Sequence, residues 1–160
     1  MIALYSMEKS KALQAIAWGG LLAGVMDISA AFVTWGVRGV SPVRILQSIA
    51  SGLLGANAYQ GGLATAALGA AMHFLIATTA TAVYYLASRK LSFLVQRAVT
   101  WGLLYGVAVY MFMYFGVLPL AGIKSRFTLS TVAVAVITHL FCVGLPISLT
   151  VRRFSAPVSK

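Results

Sequence analysis

Acidic residues are almost missing from this chain of 160 residues, which contains only Glu8 and Asp27. Charged residues of both signs make up 9% of the sequence, whereas they make up about 25% of a typical soluble domain. Hydrophobic residues make up 61%. This balance excludes an ordinary soluble domain. The single cysteine, Cys142, also excludes an internal disulfide bond and intramolecular dithiol redox chemistry.

Long hydrophobic segments dominate the chain instead. Four of them reach the roughly 20 apolar residues that cross the hydrocarbon core of a bilayer, namely residues 15–37, 63–87, 98–118 and 129–151. They do not alternate as the strands of a membrane β-barrel do. The sequence therefore predicts an all-α integral membrane bundle of four transmembrane helices in one domain. Aromatic residues at the segment ends, Trp35 and Tyr114 among them, are expected to form interface belts.

Two polar ends flank this domain, a cytoplasmic start over residues 1–14 and a cytoplasmic tail over residues 152–160. The first hydrophobic segment follows a basic start, as a cleaved signal would. Its length and the second segment after it favour a retained helix.

The net charge of +10 comes from basic residues at the ends of the hydrophobic segments. Most lie at the two chain ends and in the middle connection, and fewer lie in the other two connections. The positive-inside rule then places both termini and the middle connection in the cytoplasm. Attraction to anionic lipid headgroups explains the excess charge, so no nucleic-acid partner is expected. The larger group comprises Lys9, Lys11, Arg89, Lys90, Arg97, Arg152, Arg153 and Lys160, and the smaller group comprises Arg38, Arg44, Lys124 and Arg126.

A short amphipathic helix is predicted over residues 42–54, in the connection after the first segment. Ser41 suits the N-cap position, and Pro42 suits the first turn. About 13 residues are too few to span a bilayer. This helix is therefore expected on the outer surface or folded back over the bundle. Two roles stay open for it, a lid that caps the bundle and a binding surface.

Three ionisable side chains fall inside the predicted membrane segments, Asp27 in the first, His73 in the second and His139 in the fourth. A charge at the centre of a bilayer is costly, so such residues normally face the interior of a bundle and have partners. At 1.5 Å per residue, Asp27 and His139 lie roughly 18 Å from the cytoplasmic ends of their segments, and His73 lies about 21 Å from its own. The sequence therefore predicts one buried polar layer.

Small residues predict where the helices pack. Asp27 and His73 each lie on a stripe of glycine and alanine, and membrane helices approach most closely at small residues. Candidate accessory groups for the layer are Cys142, one turn after His139, together with Tyr110 and Ser29. The glycines assigned to helix packing are Gly20, Gly24, Gly69, Gly102 and Gly106.

The first and third segments open alike, with "AWGGLLAG" and "TWGLLYG", and each is followed by a helix with a central histidine, in "AAMHFLIA" and "VITHLFCV". We interpret this as an internal repeat of two helix pairs related by an axis along the membrane normal. Tyr110 then roughly matches the position of Asp27. Pro146 is expected to kink the last helix, because proline cannot continue its backbone hydrogen bonding.

Three functions suit a layer of one carboxylate and two imidazoles. The first is a membrane-embedded helper or scaffold subunit, in which a histidine bonded to Asp27, Ser29 or a carbonyl holds the bundle in register, within a homo-oligomer or a membrane complex. The second is a proton-coupled transporter of small molecules or ions that uses Asp27 and a histidine, because imidazole titrates near neutral pH. The third is a haem b protein with His73 and His139 as axial ligands.

Other chemistry finds little support in the sequence. There is no recognisable nucleophile–base pair, phosphate loop or zinc-binding set, so neither an enzyme nor a metal site is expected. The helper function and the transporter function need no cofactor. Haem b is the one cofactor that the polar layer brings into consideration.

Two strings carry a resemblance to a known group of proteins, "ASGLLGANAYQGGLATAALGAAMHF" and "HLFCVGLPISL". They resemble parts of small four-helix bacterial inner-membrane proteins of uncharacterised function. The resemblance covers nearly the whole chain, including the short helix. It implies a multi-pass protein of the bacterial cytoplasmic membrane, and it brings no activity with it.

Overall fold

Four long helices account for most of the structure. A computed structural model describes residues 2–120, 122 and 128–155, with their side chains from residue 9 onward. Within these residues, every regular element is helical. The four helices that are long and apolar enough to cross a membrane are called here the first to fourth spans, and they are Lys9–Gly36, Gly62–Lys90, Ala98–Leu120 and Leu129–Phe154. The prediction of an all-α membrane bundle with four spans is confirmed.

The helix ends differ from the predicted ones mainly at the N-terminus. The first helix begins at Ile2 and ends at Gly36, so the start expected to precede the membrane helix is itself helical. Residues 2–14 contain neither glycine nor proline, the residues that most readily stop a helix. At the other end, the last helix runs to Phe154. The rest of the tail with Lys160, and the connection that contains Lys124 and Arg126, lie outside the described residues.

The first span packs against the second and the fourth spans, and the third span packs against the fourth. Small residues allow these helices to approach closely. A methyl group added to Gly20, for example, would lie 2.7 Å from the Cα atom of the residue opposite, which is too close for any side chain. Each predicted packing glycine lies at such a contact: Gly20 with Thr78, Gly24 with Phe74, Gly69 with Leu46, Gly102 with Ser148, and Gly106 with His139.

One end of the bundle, called here the packed half, contains the first turns of the first span and the last turns of the second and fourth. The Tyr105 hydroxyl of the third span donates a hydrogen bond to the Ala80 carbonyl of the second span at 2.7 Å. The Tyr84 hydroxyl donates to the Leu94 carbonyl at 3.0 Å. The helices are therefore closely joined at this end. Its fully buried residues are Ala15, Thr81, Ala98, Ile147, Ser148 and Val151.

The outer surface of the bundle carries large apolar side chains. Val33, Leu75 and Phe112, from three different spans, are each about two-thirds exposed. A soluble monomer rarely exposes extended apolar surface. This surface fits contact with the hydrocarbon tails of a lipid bilayer.

The short helix spans Pro42–Leu54, with the predicted bounds and with Ser41 as its N-cap. Gln47 is buried, and its Nε2 atom donates to the Gly62 carbonyl at 3.0 Å and to the Thr65 hydroxyl at 3.4 Å. Both partners belong to the first turn of the second span. The short helix is therefore folded back onto the bundle and held there by its own polar side chain. A 3₁₀ segment joins it to the second span, over Gly55–Gln60.

The third and fourth spans each contain a π-helical turn, Met113–Val117 and His139–Gly144. Each turn is followed two residues later by a proline, Pro119 in the third span and Pro146 in the fourth. Proline has no N–H group to donate to the preceding turn, so the carbonyls there must find other partners. The disruption expected at Pro146 therefore takes the form of a π-helical turn before the proline.

Candidate functional site: a cavity among the four spans

A cavity of about 370 Å³ lies between the four spans, in the half of the bundle opposite the packed half. Asp27, His73 and His139 line it, each from a different span. The structure thus places all three members of the predicted polar layer around one space. Much of the remaining wall is aliphatic, with Ile28, Ile76, Val109, Leu118, Val132 and Val143.

Both histidines direct one ring nitrogen to a backbone carbonyl. The Nε2 atom of His73 lies 2.9 Å from the carbonyl oxygen of Gly24, in the first span. The Nδ1 atom of His139 lies 2.9 Å from the carbonyl oxygen of Ala135, in its own helix. A carbonyl oxygen only accepts, so these two nitrogens carry hydrogen and donate it. In the neutral rings, Nδ1 of His73 and Nε2 of His139 are left as acceptors.

The Asp27 carboxylate has no hydrogen bond or salt bridge to any residue that the structure describes. The side chain is half-buried. Neither histidine donates to it through its bonded nitrogen, because those N–H groups are directed to carbonyls. Of the partners considered from the sequence for a histidine, the structure contains the backbone carbonyl, and not Asp27 or Ser29.

The three accessory candidates have different positions. Tyr110 lines the cavity, and its ring centroid lies 5.6 Å from that of His139 in an edge-to-face arrangement. Ser29 is exposed on the surface of the first span and does not line the cavity. Cys142 is half-buried and does not line it either. Tyr110 is thus the one accessory candidate that lines the cavity, while Cys142 lies close enough to Asp27 for an electrostatic interaction.

Trp35 and Tyr114 also line the cavity, although the sequence places them in interface belts. The Tyr114 ring packs beside the Tyr110 ring, with centroids 5.7 Å apart. The sequence contains a signal for this position, because residues four apart lie on the same face of a helix. Trp35 has a similar signal, since it lies four positions after Ala31 and eight after Asp27, but its position near a helix end is equally typical of an interface residue.

A second, smaller cavity of about 180 Å³ adjoins the first, between the first and fourth spans. Asp27 and His139 line both cavities. Threonine side chains and Arg38 continue the lining toward the end of the first span. The Arg38 guanidinium carbon lies 5.0 Å from the centroid of the Trp35 ring. The threonines in this lining are Thr34, Thr131 and Thr138.

The short helix contributes Ile45, Ser48 and Ile49 to the lining of the larger cavity. Ile45 and Ile49 belong to the apolar face that the amphipathic pattern predicts, whereas Ser48 belongs to the face predicted to be polar, so the side of the short helix that is turned to the bundle is mixed. The short helix therefore covers the cavity at the end opposite the packed half. The two roles left open by the sequence, a lid and a binding surface, both stay predictions.

The donor set fits neither a metal ion nor a haem group well. The described residues contain no cluster of three or more histidine, cysteine, aspartate or glutamate side chains that could hold a metal ion. For haem, His73 has only Nδ1 left as a ligand, since Nε2 donates to Gly24. Nδ1 is adjacent to the carbon that carries the side chain, so a flat macrocycle bound there would meet the helix backbone.

Comparison with protein-family models, with curated proteins and with solved structures finds no match to this chain. The resemblance to small bacterial inner-membrane proteins therefore stays a prediction, and the function has to be argued from the cavity.

Proposed function

We propose that this small integral membrane protein binds a small molecule in its central cavity and moves it across the membrane in exchange for protons. The single observation that carries the proposal is the position of Asp27. Its carboxylate has no bond to another described residue and lines one cavity together with two histidines. A cavity of about 370 Å³ is within the usual size range of ligand sites, roughly 300 to 1,000 Å³.

The cost of placing a charge in a membrane supports this reading. An aspartate at the centre of a transmembrane helix costs about 2.5–3.5 kcal/mol on insertion scales, and such residues mark substrate and proton pathways. His139 lines the cavity with Nε2 left as an acceptor, so it is suited to exchange protons with the neighbouring space. In the proposed mechanism Asp27 binds either a proton or the ligand, and His139 relays protons to it.

The orientation belongs to the same proposal. An even number of spans places both ends of the domain on one side of the membrane. The excess of basic residues on that side favours the cytoplasm of a bacterium. The packed half then faces the cytoplasm, and the short helix covers the cavity on the outer side. Ligand entry in this conformation is expected past the threonine-lined second cavity, because the helices are tightly joined at the other end.

A helper or scaffold subunit is the second candidate, and the bond between His73 and Gly24 favours it. This bond joins the second span to the first, as a structural histidine would do. In this case the polar layer would only hold the bundle together, and the protein would act through a homo-oligomer or a partner in a membrane complex. Haem binding is the least supported of the three, for the steric reason given above.

Proteoliposomes with an imposed pH gradient test the proposal. The uptake of three benzyl probes would be measured by mass spectrometry: the cation benzyltrimethylammonium, the neutral benzyl methyl sulfone and the anion phenylmethanesulfonate. We expect gradient-dependent uptake of at least one probe, and loss of that uptake in Asp27→Asn. The control is Thr79→Ala, which removes an exposed hydroxyl that donates within its own helix.

Two results would decide against proton-coupled transport. One is the absence of gradient-dependent uptake of every probe by the wild-type protein, and the other is full uptake by Asp27→Asn. If variants of Asp27, His73 and His139 then lower only the thermal stability, the helper subunit is the better interpretation. A Soret band in the visible spectrum of the purified protein would identify a haem protein instead.

A further inference from the structure

We infer that the ligand of the cavity is a small organic cation with an apolar body, which Asp27 recognises by its charge. The inference rests on the proposed function only in that the cavity must admit a ligand. It adds the sign of the ligand's charge and the chemistry of its remaining surface.

The charge of the cavity gives the first step. Asp27 is the only carboxylate among the described residues that line the larger cavity, and that lining includes neither lysine nor arginine. Arg38 lines the smaller cavity together with Asp27, but it follows the end of the first helix at Gly36, and no salt bridge joins the two side chains in the described structure. Its guanidinium group lies against the Trp35 ring instead. The larger cavity therefore has a negative charge that no described basic residue balances.

The hydrogen bonds of the histidines give the second step. Because His73 and His139 donate to the carbonyls of Gly24 and Ala135, the N–H groups that could have compensated Asp27 are engaged elsewhere. A carboxylate in a membrane interior without a donor is unfavourable. A cation that enters the cavity removes this cost, whereas an anion adds to it. The site thus selects for positive charge.

The rest of the lining distinguishes an organic cation from a metal ion. A calcium or magnesium ion requires about six oxygen ligands, and the cavity offers one carboxylate in a largely aliphatic wall. The rings of Tyr110 and Tyr114 lie side by side at the cavity surface. Aromatic faces attract ammonium groups that are removed from water. This combination of one carboxylate, two tyrosine rings and aliphatic walls suits an ammonium group attached to a hydrocarbon body.

Binding measurements on the purified full-length protein in detergent, by isothermal titration calorimetry with the same three benzyl probes, test the inference. We expect benzyltrimethylammonium to bind at least about tenfold more tightly than benzyl methyl sulfone, because the attraction of aromatic rings for a desolvated ammonium group by itself reaches this factor. The anion phenylmethanesulfonate should bind most weakly. Asp27→Asn should remove the preference for the cation, and Asp27→Glu, which restores a carboxylate, should keep most of it.

Thr79→Ala is the matched control and should bind all three probes as the wild-type protein does. Equal or tighter binding of the neutral or the anionic probe by the wild-type protein would overturn the inference that the ligand is a cation. It would still support the proposal that the cavity binds a small molecule. Failure of the wild-type protein to bind any of the three probes would count against both the ligand class and the proposed function. Retention of the cation preference in a folded Asp27→Asn protein would overturn the role of Asp27.

Discussion

The Nε2 atom of His73 donates a hydrogen bond of 2.9 Å to the carbonyl oxygen of Gly24 and so joins the second span to the first. A related contact exists in the other helix pair, where Gly106 lies against the backbone carbonyl of His139. In the internal repeat inferred from the sequence, Gly24 corresponds to Gly106, and His73 to His139. In each pair, the glycine that ends the repeated motif thus contacts the histidine of the following span, which supports the repeat.

The two histidines should contribute unequally to stability. We expect His73→Leu, which removes a bond between spans, to lower the free energy of unfolding by about 0.5–2 kcal/mol. His139→Leu should have a smaller effect, because the bond of His139 lies within its own helix. Thermal unfolding in one detergent, with Thr79→Ala as the control, measures both. If both histidine variants lost the same free energy of unfolding, the bond of His73 between two spans would not be more stabilising than the bond of His139 within its own helix.

Because the third span is closely packed at one glycine and not at another, substitution by alanine should lower the stability at Gly106 much more than at Gly116. In Gly106→Ala the new methyl group would overlap the His139 carbonyl, and overpacking of this kind costs about 1–3 kcal/mol. Gly116→Ala is the control in the same span, because its methyl group would lie 3.7 Å from the Phe112 ring, an ordinary contact. Chemical or thermal unfolding should show the loss only for Gly106→Ala. A loss of similar size in Gly116→Ala would point to backbone effects instead of packing.

The short helix should depend on Gln47 for its position. Gln47→Leu keeps a side chain of similar size but removes the bonds to Gly62 and Thr65. The loss of about 1 kcal/mol expected for such bonds corresponds to roughly fivefold faster amide hydrogen exchange in the helix. Exchange measured by mass spectrometry over residues 42–54 tests this. Leu53→Ala, in which the replaced side chain is 67% exposed, should leave the exchange rate nearly unchanged.

The proposed orientation can be tested with single cysteines in a Cys142→Ser background. Ala56→Cys lies next to the short helix and Ser92→Cys lies between the second and third spans, and both positions are exposed. We expect a membrane-impermeant maleimide to label Ala56→Cys in intact bacterial cells and Ser92→Cys only after permeabilisation. The reverse pattern would invert the orientation, and with it the side from which the cavity is reached.

Local signals explain which parts of the fold were predictable. Ser41 and Pro42 fix the start of the short helix, because the serine side chain caps the first turn and the proline ring fixes the backbone angle φ. Both effects depend only on residues that are neighbours in the sequence. The spans follow from hydropathy alone. The polar layer was predictable because Asp27, His73 and His139 are unusual residues at similar depths, and the cost of burying them directs all three inward.

The remaining features depend on contacts between distant parts of the chain. The carbonyl of Gly24 accepts from His73 only because two spans approach there, which no local pattern specifies. Trp35 lines the cavity because of the way the first span is rotated in the bundle. The π-helical turn at His139 reflects both Pro146 and the close contact with Gly106, so the sequence indicates a disruption but not its form.

The π-helical turn His139–Gly144 sets the phase between two faces of the fourth span. Nine residues separate His139, which lines the cavity, from Ser148, which is buried in the packed half. In a regular α-helix, at about 100° per residue, these two side chains would point in nearly opposite directions. The π-helical turn is wider than an α-helical turn and contains one additional residue. His139 and Ser148 therefore both face the interior of the bundle. Deletion of one residue in this turn would therefore leave a regular α-helix with both faces still toward the bundle, whereas conversion of the turn to a regular helix without a deletion would rotate either the polar layer or the packed half out toward lipid.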